Sequence, residues 1–278
     1  MSNAPMDALI VYAPLVFALA AVGAVAGVIA GLFGIGGGIL IVPALYYVFG
    51  ALGYSDTAMH MAVGTSLATI VATSIRSVLA HDKKDAVDWT IVRGWTPWIV
   101  LGAIAGAALA GYLSAGSLTA IFGVVAIVVA IQFIFGDPEW RLAEDMPRGV
   151  GRALFGGGIG GLSALMGIGG GVFGVTFMTL CGRPIHQAVG TSAGFGGAIG
   201  LFAATGYVMT GWDMVGRAPL SVGYVSIPGF FAVALLTTSL APFGARLAHS
   251  MDGVLLRRLF GILMALNAVN MLRETLMA

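Results

Sequence analysis

The sequence is poor in charge. Only 9% of its 278 residues are Asp, Glu, Lys or Arg, against about 25% in a soluble domain. With 59% hydrophobic residues and a mean hydropathy of +0.99, it lacks the polar surface that a soluble fold of this size requires. It has one cysteine, Cys181, which excludes an intrachain disulfide and any multi-cysteine metal site; Cys181 reads as a small apolar filler. The net charge of +1 gives no bulk attraction to nucleic acid. Carboxylates are missing from the apolar stretches: Asp56, Asp82, Asp137, Glu139 and Asp252 all fall between them. A cation carrier or pump normally buries carboxylates to offset its cargo, so that class loses support. No phosphate loop, His-Glu-x-x-His or nucleophile elbow is present. Neither an enzyme nor a cofactor or metal site is therefore expected. Residues 1–7 carry no Lys or Arg. A cleaved signal peptide wants a positive start, so the first apolar block is expected to stay as a span.

What is present is a series of ten apolar blocks, at roughly 9–31, 33–50, 59–80, 95–113, 116–136, 149–166, 168–182, 186–207, 221–242 and 254–273. Blocks of about 20 residues suit membrane-crossing helices. They are continuously apolar rather than alternating, which speaks against a β-barrel. The fold class expected is an all-α polytopic membrane protein.

The blocks repeat. Gly34-Ile35-Gly36-Gly37-Gly38 returns as Gly167-Ile168-Gly169-Gly170-Gly171, an offset of 133. Ala-Val-Gly-Thr-Ser, Ala62 to Ser66, returns as Ala188 to Ser192, an offset of 126. Phe122-Gly123 returns as Phe260-Gly261, and Gly106-Ala107-x-Leu109-Ala110 as Gly244-Ala245-x-Leu247-Ala248, both offset by 138. Shared strings in one order indicate an internal duplication, with a first repeat over residues 1–140 and a second over 141–278. Lys83, Lys84, Arg93, Arg141, Arg148, Arg152, Arg246, Arg257 and Arg258 cluster in alternate loops, which places those loops in the cytoplasm and residue 1 outside. Arg217 and Arg273 fall on the other side. Five segments per half is an odd number, so the second half is expected to be inverted. If the first two blocks form a re-entrant pair, three crossings remain, still odd. One unbroken helix from Gly149 to Gly182 would be about 50 Å long, against a bilayer core of about 30 Å. Inverted repeats with interrupted segments are the pattern of secondary transporters.

Gly34, Gly36, Gly37 and Gly38, with Gly167, Gly169, Gly170 and Gly171, read as helix breaks. Free amides at a break, together with a helix N-terminus, can bind an anion. The competing reading is close helix packing, which already accounts for Gly102 with Gly106 and Gly157 with Gly161. Thr65, Ser66, Thr191 and Ser192 are candidate hydroxyl donors to an oxyanion, and Thr69 and Thr73 continue a stripe from Thr65. They could equally bond the preceding turn or a neighbouring helix. His60 and His186 are a repeated pair, read as proton carriers or as plain interfacial histidines. Arg76 reads as a snorkelling cation or as a counter-charge for an anion.

Paired GIGGG and Ala-Val-Gly-Thr-Ser strings resemble the TauE/SafE family, also called TSUP, of sulfite and organosulfonate permeases. The resemblance spans nearly the whole chain and includes His81-x-Lys83-Lys84-x-x-Val87-Asp88-Trp89 and Arg257-Arg258-Leu259-Phe260-Gly261. It implies a multi-pass carrier of the bacterial inner membrane for small sulfur-containing anions such as sulfite or sulfoacetate, driven by an ion gradient rather than ATP. The second copy departs from the first where Pro43 meets Thr176 and Arg76 meets Phe202, so any charge from Arg76 comes from one half only. The expectation is a secondary-active exporter or permease in which the two breaks meet near the midplane and one half rocks against the other. Its partners would be a small anionic substrate, the lipid bilayer and a coupling ion, H+ or Na+; a homo-oligomer is compatible and nucleic acid is not. The alternatives are a carrier of another solute, a carboxylate or a cation, and a non-transporting membrane scaffold or assembly factor.

Overall fold

A computed structural model describes residues 4–34, 36–136 and 140–277. Ile35 of the first glycine string and the loop carboxylates Asp137 and Glu139 lie outside the described residues. Among the described residues ten helices follow one another: α1 Ala4–Phe33, α2 Gly38–Ala51, α3 Ser55–Asp82, α4 Trp89–Ala110, α5 Ala115–Phe135, α6 Gly149–Met166, α7 Gly171–Leu180, α8 Ile185–Thr210, α9 Ile227–Ala248 and α10 Gly253–Met277. Among the described residues six of them are long and apolar enough to cross a membrane: α3, α4, α5, α8, α9 and α10. They fall three to each half. Large apolar side chains cover the outside, with Leu101 59%, Val128 60% and Leu235 72% exposed. A solvated surface would not tolerate this pattern; hydrocarbon does.

Two expectations change. With 14 and 10 residues, α2 and α7 measure only about 21 and 15 Å. Both fall short of a bilayer core of about 30 Å, α7 reaching only about half of it, so ten blocks do not make ten full-length spans. The ninth block is also displaced. Residues 221–226 form a two-stranded antiparallel ribbon, β1 Ser221–Val222 against β2 Val225–Ser226, and the helix runs on to Ala248. Gly223 at φ 56 turns the ribbon. Pro228 then sits in the first turn of α9, where its missing N–H costs nothing.

Equivalent helices of the two halves pack side by side and antiparallel. In the α3–α8 pair, Gly64 meets Tyr207, Gly200 meets Leu67 and Val71, and Gly196 meets Ser74. In the α5–α10 pair, Gly123 meets Leu272 and Gly261 meets Ile134. The remaining long contacts interleave the halves: α1 packs parallel to α9, and α6 parallel to α4. Glycine at four-residue spacing makes those contacts close. A Cβ at Gly27 would lie 2.7 Å from Thr237 Cα, and one at Gly31 would lie 2.6 Å from Ala245 N. In the α4–α6 pair a Cβ at Gly102 would lie 2.7 Å from Gly157 Cα, and one at Gly106 would lie 2.9 Å from Gly161 Cα. Packing of the small-xxx-small kind is therefore what these four glycines do.

The α6 surface offers a paired test. A Cβ at Gly160 would lie 2.8 Å from Ala103 N and closer still to Ile99 O, whereas one at Gly158 meets nothing within 4 Å. Gly160→Ala is expected to destabilise the protein by about 1–3 kcal/mol through overpacking. Gly158→Ala should be neutral or stabilising by up to about 1 kcal/mol. Thermal unfolding of the two variants in detergent checks both signs.

Candidate substrate site

Both glycine strings interrupt the backbone. The first separates α1 from α2 and the second separates α6 from α7. Gly34 and Gly167 have the same φ of 66, in the left-handed region that side-chain-bearing residues rarely adopt. Gly36 and Gly37 are also left-handed, at φ 71 and 84, while Gly170 is right-handed at φ −52. The two breaks are thus alike at the first glycine and differ at the second and third. Gly34, Gly36, Gly37, Gly38, Gly167, Gly169, Gly170 and Gly171 are all buried. The two strings touch: a Cβ at Gly38 would collide with Gly167 O and lie 2.9 Å from Ile168 Cα. At this junction α2 and α7 begin, each with the unpaired first-turn amides that any helix leaves.

Every position of Ala-Val-Gly-Thr-Ser after the buried Ala62 and Ala188 except Ser192 has a task, and each of those tasks reaches into the other half. Val63 packs on Gly167, and Val189 packs on Gly34. Gly64 admits the backbone of Tyr224, and Gly190 that of Ala86. Thr65 Oγ1 accepts from Ser226 N at 2.9 Å, and Thr191 Oγ1 accepts from Asp88 N at 2.9 Å. Ser226 and Asp88 are the N-caps of α9 and α4. Ser66 Oγ donates to Gly167 O at 2.8 Å. Its repeat, Ser192, is buried and its Oγ has no partner. Thr69 and Thr73 donate to the carbonyls of Thr65 and Thr69, both at 3.0 Å, as back-bonding hydroxyls do.

The histidines are part of the same pattern. His60 Nε2 donates to Ala110 O and His186 Nε2 to Ala248 O, both at 3.1 Å. These carbonyls end α4 and α9 and also accept from Leu113 N and Met251 N, so each histidine takes the second lone pair. His81 Nε2 donates to Gly31 O at 2.8 Å, and Tyr207 Oη donates to Ala164 O at 3.2 Å. His81 and Tyr207 stand 126 apart, and Gly31 and Ala164 stand 133 apart, so this too is one bond made twice. Beyond it the ends diverge. His81 Nδ1 must accept, because Nε2 carries its proton, and His249 Nε2–H donates to it at 3.1 Å. His186 stacks on His249 at 5.7 Å. At the other end His60 stacks on Tyr224 at 4.8 Å.

Arg76 lies on the exposed face of α3, away from Thr73, Ser77 and His81, which face inward. Ile70 touches Gly36, and Arg76 is about 9 Å further along the helix. Among the described residues, five hydroxyls that sequence alone did not single out are buried without a partner: Ser74, Ser77, Ser163, Ser221 and Thr238. Ser163 stands four residues before Gly167. Its signal was obscured because the repeat position is Ala30. His81 and His249 were likewise missed as a pair, since neither has a histidine at its repeat position. Among the described residues no cluster of His, Cys, Asp or Glu could hold a metal ion.

The family profile described as Sulfite exporter TauE/SafE matches residues 19–271. The chain belongs to the TauE/SafE family. A probable membrane transporter protein of Haemophilus influenzae is 32% identical over 251 residues, covering 90% of this chain and 95% of that protein. One from Methanocaldococcus jannaschii is 30% identical over 217 residues, covering 74% and 76%. The probable membrane transporter protein MamO of Magnetospirillum gryphiswaldense is 24% identical over 291 residues, which is 89% of this chain but 43% of that protein. No solved structure matches. This TauE/SafE protein is a membrane transporter, and its two glycine breaks are where its family strings converge.

Two measurements probe the site's scaffold. Thr65→Ala or Thr191→Ala leaves a buried amide unpaired, which costs about 1–3 kcal/mol; Thr→Ser at either position should restore most of it. Thermal unfolding in detergent reads both. His249, at the C-cap of α9, is held below the ordinary histidine value of 6.5 by burial first, then by His186 and Lys84. The fold therefore favours its neutral form. That contribution is complete above pH 6.5 and is lost as pH falls from there through the lower folded value. His249→Gln should flatten the loss of thermal stability on acidification below pH 6.5.

Proposed function

We propose that this TauE/SafE protein is a secondary-active exporter or permease of small sulfur oxyanions, sulfite, sulfoacetate or related sulfonates, in a bacterial inner membrane. The observation that carries the reading is the contact of the two breaks at Gly38 and Gly167. There the first amides of two short helices converge in a buried place, with unpaired hydroxyls at Ser163, four residues before Gly167, and at Ser192, beside Gly174 of α7. Helix N-termini and neutral donors favour an anion. Gly34, Gly36, Gly37, Gly169, Gly170 and Gly171 shape the breaks, and Ser192 is the motif hydroxyl with its donor free. Thr65, Thr191 and Ser66 approach the substrate only if they release their present partners. The antiparallel packing of α3 with α8 and of α5 with α10 supports two inverted repeats.

Proton coupling runs through the histidines. Of the two ends, one gathers the three histidines His186, His249 and His81, whereas the other sets His60 on Tyr224, which in turn meets Tyr207. A proton added at His81 Nδ1 sets two N–H donors against each other. It is accommodated when His249 carries its proton on Nδ1 and accepts with Nε2. His81 also holds Gly31, three residues before the first break, so a proton there acts on the break itself.

Uptake into proteoliposomes, with sulfite, sulfoacetate and sulfate offered with and without a pH gradient, tests the whole reading. Sulfite or sulfonate uptake should exceed sulfate uptake and respond to the gradient. Gly38→Ala, which wedges the two breaks apart, should lower uptake on the order of tenfold. His81→Gln should lose the response to pH while substrate exchange persists. Uptake that follows a sodium gradient alone would replace the proton with Na+. Competition by carboxylates rather than sulfur oxyanions would move the substrate class. No binding of any small anion would favour a scaffold.

A further inference from the structure

The cytoplasmic ends of α3 and α9, as the basic loops place them, frame a groove of about 410 Å3 lined by Arg76, Leu79, Ala80, Lys83, Lys84, Pro242 and Arg246. Four of its seven lining residues are cations and none is an acid. Among the described residues, ion pairs join only Arg148 and Arg183 to Asp145, so none of the four groove cations is matched by a carboxylate. Like charges gathered at one place repel, and such a cluster persists where an anion offsets it.

The surroundings say which anion. The groove opens on the outside of the bundle. Ile75, Leu79 and Phe243 beside it are about half exposed, at 52%, 50% and 52%, on a surface that faces hydrocarbon. Arg76 sits six residues before the end of α3 at Asp82, about 9 Å below it, while Lys83 and Lys84 follow that end. The cations thus stand above and beside an apolar wall at the depth of lipid headgroups. A soluble anion gains nothing from such a wall, but a phospholipid uses both parts, phosphate to the cations and acyl chains to the wall. A second groove on the same side, about 330 Å3 between Gly182 and Arg257, lacks this character: Asp252 lines it and its Arg183 is bound to Asp145 at 2.8 Å.

We propose that the groove between α3 and α9 is a binding site for the phosphate headgroup of an anionic phospholipid, with Arg76, Lys83, Lys84 and Arg246 as its ligands. It goes beyond the transport reading and does not depend on the transported substrate. Since His81 and His249 lie on the inner side of these same helix ends, a lipid seated here also braces the histidine end of the bundle.

Purified protein in a zwitterionic detergent tests this by thermal unfolding and native mass spectrometry. The additions are phosphatidylglycerol, cardiolipin, phosphatidylcholine, inorganic phosphate and sulfite. The two anionic lipids should raise the melting temperature and remain bound; phosphatidylcholine and inorganic phosphate should do neither. Each cation removed should weaken lipid binding about fivefold and Arg76→Gln with Arg246→Gln together about 25-fold. Arg93→Gln, an exposed cation outside the groove, should leave it unchanged. All the groove cations are exposed, so the double variant should fold; Arg76→Lys with Arg246→Lys should retain binding and guards that point. Three results overturn the proposal: equal weakening by Arg93→Gln, an equal stabilisation by inorganic phosphate or sulfite that the double variant loses, and unchanged lipid binding in the double variant.

Discussion

Inside a bilayer, a backbone amide or carbonyl without a partner has no water to turn to. This fold breaks two helices at buried glycines and ends others against buried side chains of α3 and α8. Everything else follows from how those loose groups are held. The crossed pair α3 and α8 does most of the holding. Thr65 and Thr191 take the cap amides of α9 and α4, His60 and His186 take the carbonyls that end α4 and α9, and His81 and Tyr207 take carbonyls of α1 and α6. Three bonds, each made twice, tie two helices to four others.

That account changes what the Ala-Val-Gly-Thr-Ser string means. Read as a sequence, its hydroxyls were as suited to a substrate as to a neighbour. In the fold three of the four have neighbours, and Ser192 alone has none. Duplication makes the paired hydroxyls structural and the unpaired one informative. The same logic applies at the helix ends: where the repeat holds, as for Thr65 and Thr191, the role is architectural, and where it fails, as for His81 against Tyr207, function has room to differ between the two ends.

Much of this was legible beforehand. Ten helices, the breaks at both glycine strings and close packing at Gly102, Gly106, Gly157 and Gly161 followed from periodicity, repetition and spacing. The short length of α2 and α7 was less visible, because an apolar run carries no mark of where a turn ends. The ribbon at 221–226 was hidden inside an apolar block, with Gly223 and Pro228 as its only signals. The pairing of His81 with His249 could not be read at all, since 168 residues separate them and only the third dimension joins them. Arg76 illustrates the converse. Its charge was evident, but the choice between an inward counter-ion and an outward cation rests on a helix face that the burial of Thr73, Ser77 and His81 defines.

The packing also bears on how such a molecule could alternate. A duplicated sequence invites the picture of two halves rocking against each other. Here the half is not the unit that packs. α1 of the first half lies along α9 of the second, α6 of the second along α4 of the first, and both contacts are glycine-tight. Rocking by halves would tear both seams and all the bonds that Thr65, Ser66 and Thr191 make across them. A motion that keeps α1 with α9 and α4 with α6 spares both seams, and what it has to bend are the bonds by which α3 and α8 hold these two pairs. It would change the angle at which α1 meets α2 and α6 meets α7. Those angles are set at Gly34, Gly36 and Gly37 and at Gly167, Gly169 and Gly170, where few helical bonds reach and glycine supplies the freedom to turn.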